Sequence, residues 1–406
     1  MNTIQLAALG TILSLSTQAP ALQIGAWVGS ASDTSQDGTY PQPTDANVKA
    51  FAQLQGRKLD FVQYFANWPA SWTAVKRYAD IAANNGATLM VTWQPSGYTA
   101  PQIVAGKADA YLGRFAREMK SYPHDVWLRP LHEANGGDWY SWNVGNSSMA
   151  NTEEDVAAAF RHIVKIFRDS GGTNVKWVWN VNNENASGGN STSFTGTYPG
   201  DEWVDYISID GYNFGTFHTV ANSGWKSSWR TFVQAYKPAY TALSKIDKPI
   251  FVAEFSSSEL GGDKAQWYRD AFASLSTTFP RFFALMVFSM NDANGDWRIN
   301  TTDASLQAWK ECVAKYAPVT TGVGASAPHA SSFVRASGEG LVRIESRGEE
   351  HTRIDVRDIR GTLLEHRDLG ALEAGSHEVD LGRSGSMRLV EVFAGARREA
   401  ILLGAL

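Results

Sequence analysis

A single cysteine, Cys312, stands among 406 residues. That excludes an internal disulfide, and no nearby histidine motif marks the thiol as a nucleophile. In a helix-like segment it reads as packing. Neither sign of charge predominates, with 36 Lys and Arg against 41 Asp and Glu. The formal net charge of −5 leaves no broad basic field, so nucleic acid is not an expected partner. No apolar run is long enough to span a bilayer. The run from Leu6 to Leu15 has no Lys or Arg before it, yet Ala19-Pro20-Ala21 follows it as a small-residue cleavage pattern. Residues 1–21 therefore read as a secretory signal and the mature chain as a secreted protein. Residues 333–406 contain no Lys, Trp or Tyr.

What is present is aromatic and globular. Hydrophobic residues make up 43% and charged residues 19%, a folded rather than disordered balance. All 15 Trp and 14 Tyr lie between Trp27 and Tyr316, so the aromatic surface belongs to one domain. Over residues 22–317, strand-like runs alternate with amphipathic segments. Strands are expected at 23–28, 60–67, 88–94, 126–133, 175–182, 204–213, 249–255 and 282–290. Clear helices are expected at 72–84, 107–120, 153–169, 229–245, 264–274 and 304–317, with Asp263 and Asp303 as N-caps. Eight strands in this alternation predict a (β/α)₈ TIM barrel. A doubly wound sheet would call for a Gly-rich phosphate loop after the first strand, and residues 30–38 (Ser-Ala-Ser-Asp-Thr-Ser-Gln-Asp-Gly) are not one. Residues 318–332 are rich in Ala, Ser, Thr, Gly and Pro and read as a linker. Residues 333–406 alternate apolar and polar positions and predict a small all-β, sandwich-like module with no catalytic constellation.

Two carboxylates stand out. Glu133 closes the run that begins at Val126, and Glu254 closes the run that begins at Pro249. A charge beside a core is costly unless paired or solvated. In a barrel both would come from the carboxyl ends of strands, on one rim. Paired carboxylates of this kind cut glycosidic bonds, and in retaining enzymes they lie about 5–5.5 Å apart. The competing reading is that Glu133 caps a loop amide or pairs with Arg129. A zinc-protease reading of His132-Glu133 fails because residue 136 is Gly, not His. Tyr212 is placed to donate its phenol to Glu254. Trp93, Trp139, Trp142, Trp179 and Trp297, at or just past strand ends, are candidates for stacking on sugar rings; Trp177 reads as core. Asn180, Asn182, Asn213, Asn291 and Asp292 are candidate hydroxyl binders. No cofactor or metal is expected.

These residues give the chain a resemblance to glycoside hydrolase family 26. It covers roughly residues 22–316 and rests on Arg129-Pro-Leu-His-Glu-Ala-Asn-Gly136 with Trp139, and on Phe251-Val-Ala-Glu-Phe255. Asp205-Tyr-Ile-Ser-Ile-Asp-Gly-Tyr212 and Asp296-Trp-Arg-Ile-Asn300 support it. The resemblance implies Glu133 as acid/base, Glu254 as nucleophile, Tyr212 in contact with the nucleophile and Trp297 lining the cleavage subsite. It implies that His132 replaces an Asn found elsewhere in the clan. It also implies a monomeric retaining endo-β-glycanase acting on a polysaccharide, β-1,4-mannan or mixed-linkage β-1,3-1,4-glucan. The segment Thr92-Trp-Gln-Pro95 departs from the mannanase pattern, and the stretch from Met290 to Asn300 looks closer to lichenase-like members. A β-1,3-xylanase, an exopolysaccharide hydrolase and a sugar-binding protein on an inactive barrel are the alternatives. The tail, around 354–361 and 374–379, is similar to Ig-like modules of secreted bacterial enzymes, which implies contact with secretion machinery or the cell surface; a carbohydrate-binding or spacer role is the alternative.

Overall fold

Eight strands pair side by side, all parallel, and close on themselves. They are β1 (Gln23–Val28), β2 (Phe61–Asn67), β3 (Thr88–Gln94), β4 (Val126–Pro130), β5 (Val175–Asn182), β6 (Tyr206–Asn213), β7 (Ile250–Ser257) and β8 (Phe282–Ser289). Closure runs from Gln23 opposite Ala284 to Val28 opposite Ser289. In this computed structural model the described residues are 22–28, 34–35, 42–187, 191–316, 334–338, 340–346, 348, 350–358, 362–382, 388–394 and 397–403. The expected signal and linker lie outside them.

Alternation along the strands sorts the side chains. Val62, Val91, Leu128, Ile207 and Val252 face the surrounding helices. Phe61, Met90, Trp127, Val178, Phe251 and Met286 fill the barrel. Gly25 belongs to that inner layer, where a Cβ would lie 2.7 Å from Met286 Cγ and 2.9 Å from Phe61 Cβ. The barrel therefore closes there only with glycine.

Nine α-helices occur among the described residues: α1 (Asp45–Gln55), α2 (Trp72–Asn84), α3 (Ala100–Val104), α4 (Asp109–Met119), α5 (Glu153–Asp169), α6 (Val220–Ser223), α7 (Phe232–Leu243), α8 (Lys264–Ser274) and α9 (Asp303–Lys315). Side-chain oxygens of Thr44, Ser71, Thr152, Thr231 and Asp263 accept first-turn amides, which explains where these helices start. One cap differs from expectation. Thr302, not Asp303, caps α9, and Asp303 is its first residue. No helix of the described residues is long and apolar enough to cross a membrane.

The fourth strand is shorter than expected. It ends at Pro130 rather than Glu133. Beyond it the backbone turns through left-handed conformations at Leu131 (φ 55°) and Glu133 (φ 53°), which a strand cannot continue.

The chain divides into two compact units, residues 1–318 and 319–406. The second is all β among its described residues: β9 (Val334–Gly338), β10 (Leu341–Ser346), β11 (Glu350–Asp358), β12 (Leu363–Leu372), β13 (Gly375–Asp380), β14 (Arg388–Ala394) and β15 (Arg397–Leu403). They form antiparallel sheets in the orders β9-β10-β13 and β12-β11-β14-β15. Val342, Ile344, Ile354, Val356, Val390 and Val392 from the two sheets share one apolar cluster.

Candidate active site

Above the apolar layer the inward positions turn polar. Gln63, Thr92, Arg129, Asn180, Ser208 and Asp210 are all fully buried. Arg129 organises them. Its Nη1 donates to Asp210 Oδ2 at 2.5 Å, its Nε and Nη2 donate to Thr92 Oγ1 at 3.2 and 2.5 Å, and its Nη2 also donates to Glu254 Oε1. Burial opposes its charge, but the adjacent Asp210 and Glu254 carboxylates outweigh that and hold the guanidinium's proton more tightly than usual. Arg129 thus pairs with Glu254 and Asp210, not with Glu133 as the competing sequence reading had it. Asn180 donates to Ser208 Oγ at 2.8 Å and Asp210 Oδ1 at 2.9 Å, which completes the cradle.

Glu254 enters this cradle through an irregularity. Phe251 and Ala253 both face the barrel interior, so strict alternation would send Glu254 outward. The β6–β7 register shifts between Ile209 and Asp210, where Val252 pairs with Ile209 but Glu254 pairs with Asp210. This bulge turns Glu254 inward and returns Phe255 to the helix-facing side. Three donors then meet the carboxylate. Arg129 and Gln63 (3.1 Å) reach Oε1, and Tyr212 Oη reaches Oε2 at 2.8 Å. Every partner donates, which is the pattern an ionised carboxylate accepts. Burial and the Glu254 charge push the Tyr212 phenol well above its usual range, so it remains a donor.

Glu133 is held differently. The turn after β4 fixes its backbone: its N–H donates to Asn180 Oδ1 at 2.8 Å, and its carbonyl accepts from Gly136 N at 2.8 Å and Asn143 Nδ2 at 2.6 Å. Its carboxyl accepts only from Asn182 Nδ2 (2.9 Å, on Oε1) and Trp139 Nε1 (3.2 Å, on Oε2). Burial, and after it the charge of Glu254, push Glu133 up to about 7. The site therefore holds one carboxyl ringed by a cation and two neutral donors, and a second poised to carry a proton near neutrality.

Of the aromatic residues expected to stack on sugar, Trp139 is the open one, at 52% exposed. Trp93 is 0% exposed and faces outward among Trp68, Tyr111 and Phe115, where its Nε1 donates to Tyr111 Oη at 3.1 Å. Thr92 before it points inward, so Trp93 is on the wrong face for a cleft. Trp142 is 1% exposed. It stacks on Tyr140 at 4.4 Å and donates to the His132 carbonyl at 2.8 Å, propping the turn from behind. Trp179 is likewise core, donating to Thr197 Oγ1 at 3.3 Å. Trp297 is buried in the mouth against Tyr212, with ring centres 4.9 Å apart, and donates to Asp292 Oδ1 at 3.0 Å. His132 is buried beside Tyr140, with Nε2 3.1 Å from the Tyr140 hydroxyl. Burial and then the Arg129 charge hold its imidazole well below its ordinary range, so it is neutral. Asn182 reaches Glu133. Asn213 does not reach the site: it donates to Ser257 Oγ at 2.9 Å and accepts from the Gly215 and Arg230 amides. Asn291 and Asp292 lie in a two-residue strand at the mouth. Gln63, Thr92 and Asp210 are the site residues that sequence reasoning passed over. Their signal was a polar side chain within an apolar strand. Among the described residues, no group of three or more His, Cys, Asp or Glu is placed to hold a metal.

Residues 95–286 match the model of Glycosyl hydrolase family 26. Endoglucanase H of Acetivibrio thermocellus is 49% identical over 300 residues, 74% of this chain and 31% of that protein. Mannan endo-1,4-beta-mannosidase of Bifidobacterium adolescentis is 26% identical over 252 residues, 57% of this chain and 24% of that protein. The chain thus spans less than a third of the length of these relatives. Among solved structures, a double mutant of Cellulomonas fimi endo-beta-1,4-mannanase superposes with a TM-score of 0.53 at 17% identity, covering 95% of this chain and 94% of that one. The catalytic domain of a Bacillus sp. endo-beta-1,4-mannanase gives 0.50 at 17% identity, covering 74% and 88%. At such identities these likenesses speak to the fold.

Proposed function

The barrel of this chain belongs to glycosyl hydrolase family 26, and from that membership we propose that it is a retaining endo-β-glycanase using Glu254 as nucleophile and Glu133 as acid/base. The observation that carries this is the contrast between the two carboxyls: Glu254 accepts three hydrogen bonds, while Glu133, pushed up to about 7, feels the Glu254 charge. Such a split between neighbouring carboxyls assigns the acid and the attacking group.

In the first step Glu254 attacks the anomeric carbon while Glu133 gives its proton to the glycosidic oxygen. The C–O bond to the leaving sugar breaks and a glycosyl ester forms. In the second step Glu133, now a carboxylate, takes a proton from water. That water attacks the same carbon and frees Glu254, so configuration is retained. Tyr212, Gln63 and Arg129 fix the attacking oxygens. Trp139 and Asn182 fix the acid. Trp297, against Tyr212, walls the subsite of the reacting ring.

The substrate we favour is a β-glucan, because the relative named an endoglucanase matches 74% of the chain at 49% identity. β-1,4-Mannan is the second reading, favoured by the relative named a mannosidase. Incubation with lichenan, galactomannan and β-1,3-xylan, with reducing ends counted, separates these. New ends on xylan alone would move the assignment to a xylanase. No new ends with retained binding would make the barrel a sugar-binding protein. Glu254→Ala is expected to fall at least about 10²-fold below wild type. With an activated aryl glycoside, azide should restore turnover and leave the inverted glycosyl azide. Survival of more than a few per cent of wild-type activity would remove Glu254 from the nucleophile's role.

We also propose export, with cleavage after Ala21, and an Ig-like sandwich at 333–406 serving sorting or attachment. Protein recovered from the culture medium should begin at Leu22. Retention inside the cell would overturn export.

A further inference from the structure

Of the fifteen tryptophans, two are widely exposed, Trp139 at 52% and Trp225 at 47%. Trp139 meets the acid. Trp225 has no role in the chemistry above, yet a train of rings joins it to the nucleophile. Tyr212, hydrogen-bonded to Glu254, lies 4.9 Å from Trp297; Trp297 lies 5.4 Å from Phe214; Phe214 lies 5.7 Å from Trp225. Trp225 therefore stands on the same mouth, on the loop between β6 and α7, past the nucleophile rather than past the acid.

The ring is also braced. His218, buried, stacks on Trp225 at 4.3 Å and 27°. His218 is itself fixed, with Nδ1 2.7 Å from Ser223 Oγ and its backbone N–H and carbonyl paired with Ser227. A large apolar face left in water on a rigid mount loses little entropy when something covers it. Beside a glycan-cleaving site, the group that fits is the C–H face of a pyranose ring.

We infer that Trp225, braced by His218, is a distal subsite that stacks a glycosyl unit of the substrate on the glycone side, a few units from the reacting ring. The inference rests on the glycanase reading for its ligand. The contact can be measured without turnover.

Two measurements test it in the full chain. The first is hydrolysis of β-glucan oligosaccharides of increasing length, labelled at the reducing end. Trp225→Ala should lose about 3- to 10-fold in kcat/KM on the longest, the size of one aromatic stacking contact, mostly through KM. The deficit should shrink as the chain shortens, and cleavage should move toward the non-reducing end. Trp225→Tyr should recover most of the loss, and Val220→Ala, in the neighbouring α6, should match wild type. An equal loss at every length, or none at any, overturns the inference. The second is migration through gels containing lichenan or galactomannan, using Glu254→Ala as the non-hydrolysing parent. Adding Trp225→Ala should weaken retardation. Unchanged retardation overturns the subsite. Weakened retardation on adding Trp225→Ala, together with a wild type that cleaves nothing, upholds the subsite and sinks the hydrolase reading.

Discussion

Glu133 carries a strained backbone and a displaced proton affinity together. Its left-handed φ of 53° costs on the order of 1–3 kcal/mol in a non-glycine residue, and the bond it donates to Asn180 and those it accepts from Gly136 and Asn143 hold it there. Its carboxyl, raised from 4.5 to about 7, sets two pH dependences. Turnover needs the proton, so kcat/KM should fall as pH rises through about 7. Stability follows the same sign. A raised folded-state value means stabilisation that is complete below the unfolded value and lost as pH climbs to about 7. Glu133→Gln cannot lose a proton, so its melting temperature relative to wild type should be higher at pH 8 than at pH 5. An equal difference at both would mean Glu133 titrates like an exposed glutamate. Asn182 lowers the Glu133 value through its hydrogen bond, so Asn182→Ala should shift the alkaline limb of the rate profile upward.

At the level of strands and loops, what could be read in advance depended on whether the pattern recorded a face. The eight strands and their order follow from alternation with helices. The near-continuous apolar run of β3 does not show which side faces in, so Trp93 looked available. Thr92 was the overlooked clue, because a polar residue in a buried strand must point to polar company. The Asn-rich loop after β4 misled in another way. Asn135, Asn143, Asn146 and Asn151 all donate to backbone carbonyls, so the amides that give this loop its composition hold its own backbone. The β7 bulge had no sequence signature, since Val252-Ala253-Glu254 reads the same with or without it. One loop anchor supports a further expectation. Lys264, buried at the start of α8, donates to the Arg298 carbonyl at 2.7 Å and the Asp296 carbonyl at 3.4 Å, while Ser256 Oγ donates to the Trp297 carbonyl at 2.6 Å. Lys264→Met leaves two carbonyls without a donor, at about 1–3 kcal/mol for a buried group. Melting should drop accordingly and KM should rise as Trp297 loosens. Unchanged melting would show that Ser256 alone secures the loop.

Taken whole, the chain keeps its chemistry in one unit. The barrel unit has its own apolar clusters and every tryptophan, and the β unit has a separate core. Because eleven of those fifteen indoles are buried, with Trp203 and Trp229 intermediate, a water-borne quencher such as iodide meets chiefly Trp139 and Trp225. Trp139 donates to Glu133, and Trp225 is joined to Glu254 through Phe214, Trp297 and Tyr212. The protein thus carries its own optical gauge of occupancy: a bound oligosaccharide should shield the quenchable emission and leave the rest unchanged, and Trp225→Ala should remove part of that shielded signal. Quenching that ignores added sugar would mean the two bright rings look out on water that no ligand displaces.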